Sequence, residues 1–180
     1  MAKTESLCMT NNMRPEKNSY PSYYDYYINL IKENNIRDAL SANENEIVSL
    51  FKSVPSNKHD YAYGEGKWTI KQILQHINDA ERILSYRALR FSRGDGQILT
   101  GFEENDYAEH AKGLLFSFEE LMMEFRAVRK STTLLFKSLP PSDLLLSGKT
   151  HSGNTTVLAL GFMICGHAAH HVSIIKERYF

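Results

Sequence analysis

Residues 69–92 read TIKQILQHINDAERILSYRALRFS, and this stretch decides the fold. Thr69 and Gln72 stand at the spacing of a capping box, in which each side chain satisfies a backbone N–H at a helix start. Trp68, just before the cap, can staple against Ile73 at the fourth helical position. Behind the cap, Ile73, His76, Ala80 and Ile83 recur at intervals of three and four, one face of an α-helix. The helix is expected to end near Ser92, before Gly94 and Gly96. Its inward face therefore carries a histidine.

Three further stretches share this period. Residues 36–53 place Ile36, Leu40, Ile47, Leu50 and Phe51 on one side, with Ser41 and Glu44 as an internal capping box that blurs the start. A helix from Ser117, boxed by Glu120, carries Phe118, Leu121, Met122, Phe125, Val128, Leu135 and Phe136 until Pro140-Pro141 stops it. The last runs from Asn154 or Thr155 to about Arg178. No segment alternates at period two long enough for a convincing strand. The expected fold is all-α, a four-helix bundle. Between its second and third helices lies SRGDGQILTGFEENDYAEHAKGLLF, longer than the roughly 12–15 residues of a bland loop. It is expected to be a long crossover, and a cover for whatever the bundle binds.

Residues 1–18 are polar and aperiodic and read as a flexible N-terminal tail, with residues 19–180 as one bundle domain. The segment SYPSYYDYYINLI, with Tyr20, Tyr23, Tyr24, Tyr26 and Tyr27, can wrap a core or form an interface. Lys+Arg and Asp+Glu are both 21, so the formal net charge is zero. That balance argues against a general polyanion binder, and no nucleic-acid partner is expected. No apolar run approaches the roughly 18 residues of a membrane span, and no secretory leader is visible, so no membrane partner is expected. Cys8 and Cys165 lie far apart and read as free thiols in a reducing, cytoplasmic setting. GxSxG, P-loop, GxGxxG and CxxC motifs are absent, which removes the commonest serine-hydrolase, nucleotide and thiol-redox readings.

The chemistry concentrates in GHAAHH, residues 166–171, which holds three of the chain's 7 histidines. His167 and His171 are separated by four, about 40° apart on a helix, and present two imidazoles to one point. His171 lies on the apolar row of Val157, Gly161, Ile164, Ala168 and Ile175, whereas the row through His170 holds Gly166, Ser173 and Glu177. His167 and His171 are therefore the inward pair, and His76 is the candidate third. Three neutral imidazoles in an apolar interior suit a zinc-like divalent ion with a fourth position open for water or a thiolate. The residues alone leave a second reading open, in which the histidines are merely packed. Glu81 shares a row with Ile77, Leu84 and Ala88 and needs a buried partner, either a ligand or an arginine. Glu81 and Asp79 are the candidate groups behind the ligands, as orienting group or general base. His59, His110 and His151 fall in loops, and Cys165 reads as a small core residue.

YGEGKWTIKQILQHINDAERILSYRALRFSRGD, LTGFEENDYAEHA, SFEELMMEFRAVRKSTTLLFKSLP and LALGFMICGHAAHHVSIIKERY follow one another in the order of a known family. GKW-T-I-K before the first histidine, D-x-E-R-I after it and GHxxHH near the end make the pattern specific. The chain resembles the DinB superfamily, in its YfiT-like branch of metal-dependent hydrolases and transferases, over roughly residues 20–180. The resemblance implies a four-helix bundle holding a metal, often nickel or zinc, on three histidines that match His76, His167 and His171. It also implies a small-molecule substrate and, in some members, a low-molecular-weight thiol. Family precedent and the Tyr-rich segment imply a homodimer. The expected function is a metal-dependent enzyme that activates water or a thiol, as hydrolase or thiol S-transferase. The alternative is a non-catalytic metal-binding or stress-related bundle that binds a small ligand.

Overall fold

Each of the four long helices in the computed structural model, which describes residues 13–111 and 116–180, starts at a side-chain cap. The Tyr-rich segment forms a short helix that periodicity does not mark out, α1 (Tyr24–Leu30). Next, α2 (Ile36–Ser53) opens on Asn35, whose side chain accepts from the Asp38 N–H, so the Ser41–Glu44 pair lies inside the helix. The box expected at Thr69 is formed on both sides and starts α3 (Ile70–Ser92). The crossover carries its own short helix, α4 (Glu104–His110), which makes His110 a helix terminus. The Ser117–Glu120 box starts α5 (Phe118–Ser138). Pro140-Pro141 ends it and opens a single turn, α6 (Pro141–Leu144). The last helix, α7 (Val157–Arg178), is capped by Thr156, one or two residues beyond the expected caps.

Two short strands precede α7, contrary to the expectation of none: β1 (Ser147–Thr150) and β2 (Gly153–Thr156) pair antiparallel, Ser147 opposite Thr156 and Thr150 opposite Gly153. Four residues each are too few for period-two alternation to register. The hairpin anchors the crossover, since Leu99 N–H donates to the Lys149 carbonyl and His151 N–H to the Leu99 carbonyl. The expectation that His151 lies outside regular helices holds; it sits exposed in the hairpin turn.

The four long helices, α2, α3, α5 and α7, make the bundle. Both α2 and α3 pack on α5 and on α7, so these two successive helices occupy opposite corners. The α3–α7 interface is the most extensive and carries the histidines. Apolar residues divide into two clusters, one around Tyr24, Leu40, Phe91 and Phe162, the other around Phe51, Leu74, Phe125 and Val172. By length and composition α7 could cross a membrane, yet 78% of its apolar window is buried inside the bundle, as in the core helix of a globular fold. Two glycines set how closely its neighbours approach. A Cβ on Gly166 would lie 2.1 Å from the Tyr27 carbonyl oxygen, and one on Gly161 would lie 2.7 Å from Ile36 and Phe136 side-chain carbons. Gly166 is thus what lets α1 lie directly on α7.

All four long helices are also joined by one buried polar network. Arg129 on α5 donates from Nε and Nη2 to the Glu81 carboxylate on α3, at 2.8–3.1 Å. Its Nη1 donates to Asn43 Oδ1 (2.9 Å) and the Leu40 carbonyl (3.2 Å) on α2. Asn43 in turn donates to the Cys165 carbonyl on α7 at 3.1 Å. Of the expected 1–18 tail, residues 1–12 lie outside the described residues, and Cys8 with them. Arg14 lies on the bundle, donating to the carbonyls of Ile28, Ile31 and Glu33 with its guanidinium over the Phe162 ring.

Candidate metal centre

The site is built from one residue of α3 and two of α7. The α3 face that carries Ile73 and Ala80 turns His76 inward, and the i, i+4 spacing on α7 does the same for His167 and His171. All three are buried, at 4%, 4% and 8% exposure. His76 Nε2 lies 2.9 Å from His167 Nε2, and His171 Nε2 lies 3.2 Å from the same atom. One candidate ligand atom from each residue falls within 4.8 Å of the others. For comparison, a tetrahedral ion with M–N bonds of roughly 2.0–2.1 Å sets its nitrogens about 3.3–3.4 Å apart. The donor set, three Nε2 atoms converging from two helices, fits a divalent metal of the zinc class.

Burial holds these imidazoles neutral, the form that can ligate. Desolvation, followed by the neighbouring histidines, pushes His76 down to about 4 and His167 to about 3, and holds His171 well below 6.5. These shifts predict how the metal-free fold responds to acid. The folded-state values lie below those of the unfolded chain, so the unfolded state binds protons first and stability rises with pH. The metal-free protein is expected to be evenly stable above about pH 6.5 and to lose about 1.4 kcal/mol per pH unit for each titrating histidine below it. That loss continues down towards pH 4, where the carboxylates join in. Urea unfolding in a chelator at pH 7.5, 6.0 and 5.0 reads the slope, and equal stabilities at the three values would contradict it.

His170 stands apart from the three. It is only partly buried, Tyr26 Oη lies 3.0 Å from its Nδ1, and the rings of Tyr26 and Tyr27 meet it edge-on. The Tyr-rich segment therefore packs on the outer histidine of GHAAHH, and Tyr27 also lies 6.0 Å, centroid to centroid, from His167. His59 is stacked on Phe118 rather than free in solvent.

Glu81 is taken up by Arg129, and among the described residues neither it nor Asp79 makes a hydrogen bond to a triad imidazole. Asp79 accepts from Gln75 Nε2 at 3.0 Å and lies 3.7 Å from Arg82; burial raises its carboxyl. The acidic group nearest the triad is Glu104 of α4, whose Oε2 lies 4.0 Å from His76 Nε2 and whose carboxyl is raised by burial and then by Glu103. Nothing periodic marks Glu104 in the sequence; only the length of the crossover gives a hint. Trp68 is the other neighbour that sequence reasoning did not place here. Its ring lies 4.7 Å from His76 and 6.3 Å from His171, so the residue just before the cap of α3 also walls the site. A cavity of about 190 Å³ opens beside His76, walled by α3, by Tyr107, Ala108 and Ala111 from the crossover and by Phe116 and Leu121. The crossover does cover this end of the bundle.

Comparison with known proteins bears on the family and the fold. A family model described as the DinB superfamily matches residues 39–175. A Geobacillus kaustophilus (strain HTA426) protein whose name proposes a metal-dependent hydrolase is 23% identical over 117 residues. That match takes in 64% of this chain and 66% of the relative, just under two thirds of its length. Among solved structures, YfiT from Bacillus subtilis, described as a probable metal-dependent hydrolase with an unusual four-helix bundle topology, superposes with a TM-score of 0.70 at 14% identity. The superposition covers 92% of this chain and 91% of YfiT. The colibactin self-resistance protein ClbS, solved with double-stranded DNA, gives a TM-score of 0.59 at 10% identity over 79% of this chain and 94% of its own. At these identities the two structural likenesses concern the fold.

Proposed function

The chain belongs to the DinB superfamily, and from that premise we propose that it is a metal-dependent enzyme acting on a small molecule, with His76, His167 and His171 as the ligands. The observation that carries this reading is the convergence of three buried, neutral imidazoles at one point of the α3–α7 interface. A divalent ion bound there, zinc or nickel, supplies Lewis acidity to a water or a low-molecular-weight thiol, which places the reaction among hydrolyses or thiol transfers.

The remaining residues prepare the site. Trp68 and the apolar side chains of α7 keep bulk water from the imidazoles, so that each stays unprotonated near neutral pH. Glu104, half exposed with its Oε2 4.0 Å from His76 Nε2, stands where a general base would act, and partial desolvation raises its carboxyl. Asp79 and Gln75 face a substrate cavity and do not touch the ligands. Arg129 and Glu81 hold α3 against the other helices and so fix the position from which His76 reaches α7.

Metal analysis of the protein purified without a histidine tag tests the reading. About one equivalent of zinc or nickel is expected after dialysis. The loaded protein is then assayed on ester and amide substrates, and on small thiols paired with electrophiles. Retention of less than a tenth of an equivalent would sink the metal site. Full metal content with no turnover on either panel would leave a binding protein in place of an enzyme.

A further inference from the structure

Trp68 stands against two of the proposed ligands, yet the helix it precedes does not hold it there. The first bond of α3 runs from the Ile73 N–H to the Thr69 carbonyl, so the Trp68 carbonyl lies outside the helical ladder and needs a donor from elsewhere. That donor is Tyr179, whose Oη donates to the Trp68 carbonyl from just beyond the end of α7. Tyr179 is 2% exposed, and burial, followed by the Tyr63 and Tyr61 phenols, pushes its hydroxyl up to about 12. It therefore stays a donor throughout the neutral range.

The bond is one arm of a clamp. Residues 54–69 join α2 to α3, and from this connection the Lys58 ammonium donates to the Tyr179 carbonyl at 2.6 Å. Tyr61 and Tyr63 meet the Tyr179 ring edge-on, at 6.0 and 5.1 Å between centroids. The N–H groups of Ile70 and Lys71 donate to the Tyr61 and His59 carbonyls, which seats the connection on the first turn of α3. The connection thus closes on Tyr179, and Tyr179 reaches Trp68 in return. Trp68 is tied by its backbone to the end of α7, while its ring lies 4.7 Å from His76 and 6.3 Å from His171.

We propose that Tyr179 is a positioning residue of the candidate metal centre: through the Trp68 carbonyl it sets where the indole stands against His76 and His171. The helix that carries two of the three histidines then also fixes the wall beside them. Insofar as those histidines hold a metal, the inference rests on the proposed function; the placement of the indole does not.

Trp68 is the chain's one tryptophan, so its emission has a single source, and its ring current falls on the nearest imidazoles. The test follows that emission, and the imidazole C–H resonances of His76 and His171 by NMR, in metal-free native chain, Tyr179→Phe, Lys58→Met and Trp68→Leu. Tyr179→Phe keeps the buried ring and removes only the donor. It is expected to move both imidazoles part of the way towards their Trp68→Leu values and to shift the emission to the red, with His151 in the hairpin turn unmoved. Lys58→Met loosens the same connection but spares the bond to Trp68, and is expected to keep native resonances and emission. Loaded with zinc, Tyr179→Phe is expected to release the metal to a chelator roughly five- to tenfold faster than the native chain, the worth of about one net hydrogen bond.

Native resonances and emission in Tyr179→Phe overturn the proposal, even with a lowered thermal midpoint, because a lost bond that leaves the indole in place is structural only. Equal movement in Lys58→Met overturns it too, since the indole would then follow the whole connection. Movement confined to Tyr179→Phe in a chain that never loads metal upholds the clamp and counts against the metal reading alone.

Discussion

Replacing Arg129 with methionine is expected to destabilise the fold by about 3–5 kcal/mol, among the largest effects of any single substitution in this chain. The guanidinium is fully buried and Glu81 is 2% exposed, so solvent offers the carboxylate no replacement partner. Deleting Arg129 leaves Glu81 charged and unpaired in the interior, and it also strips the donor from Asn43 Oδ1 and the Leu40 carbonyl. The expected result separates the value of the pair from the penalty of breaking it. In Arg129→Met with Glu81→Met both charges are gone, and stability is expected to return to within about 2 kcal/mol of the native chain, because apolar replacements of a buried ion pair are often neutral. Urea unfolding of the native chain, both single variants and the double variant closes the cycle. A double variant as unstable as Arg129→Met alone would mean that the loss comes from packing rather than from an orphaned charge. The Asn43 arm of the network ends on Cys165, two residues before His167. Arg129→Met is therefore also expected to weaken metal binding without touching a ligand.

The sequence makes these residues unequally legible. The capping boxes at Thr69 and Ser117 and the stop at Pro140 could be read because each rests on contacts within one turn of chain. The rows through His76, His167 and His171 could be read because helical period alone decides which side chains turn inward. Glu81 could be read as needing a partner, but which arginine would answer depends on how α5 lies against α3, and Arg129 is 48 residues away. Glu104 and Gln75 escaped for two different reasons. Glu104 reaches His76 because the hairpin anchors the crossover through Leu99, a tertiary contact with no local signature. Gln75 stands on a polar row of α3, yet it is buried beside a cavity that Tyr107 and Ala108 of α4 and Leu121 of α5 also line, a burial that tertiary packing sets. The hairpin itself was invisible because Ser-Gly-Lys-Thr and Gly-Asn-Thr-Thr carry no alternating apolar residues; one inward position, Gly148, sits against Phe91 and has no side chain at all.

The sharpest test of the candidate metal centre lies within GHAAHH itself. His167→Ala is expected to abolish stoichiometric metal, whereas His170→Ala, three residues on, is expected to retain about one equivalent. His167 Nε2 is the shared vertex of the cluster, 2.9 Å from His76 and 3.2 Å from His171, so its removal leaves two donors whose common neighbour is missing. His170 meets Tyr26 and Tyr27 instead. Structural zinc sites bind with roughly 10–16 kcal/mol spread over four ligands, so one ligand accounts for an affinity change of roughly 70-fold to a thousandfold. Stability provides a second, independent reading. A metal that binds only the folded state raises the unfolding free energy by RT ln(1 + [L]/Kd), so excess zinc or nickel should raise the Tm of the native chain and of His170→Ala. The same addition should leave His167→Ala unmoved. His170→Ala is nonetheless expected to lose a small part of its metal-free stability, through the Tyr26 hydroxyl and the two ring contacts that pin α1 to α7. Two variants three residues apart thus differ in opposite columns: one loses metal-dependent stabilisation and the other only metal-independent packing. Equal metal content in both would remove His167 from the site, and with it the geometric reason for choosing between the crowded histidines.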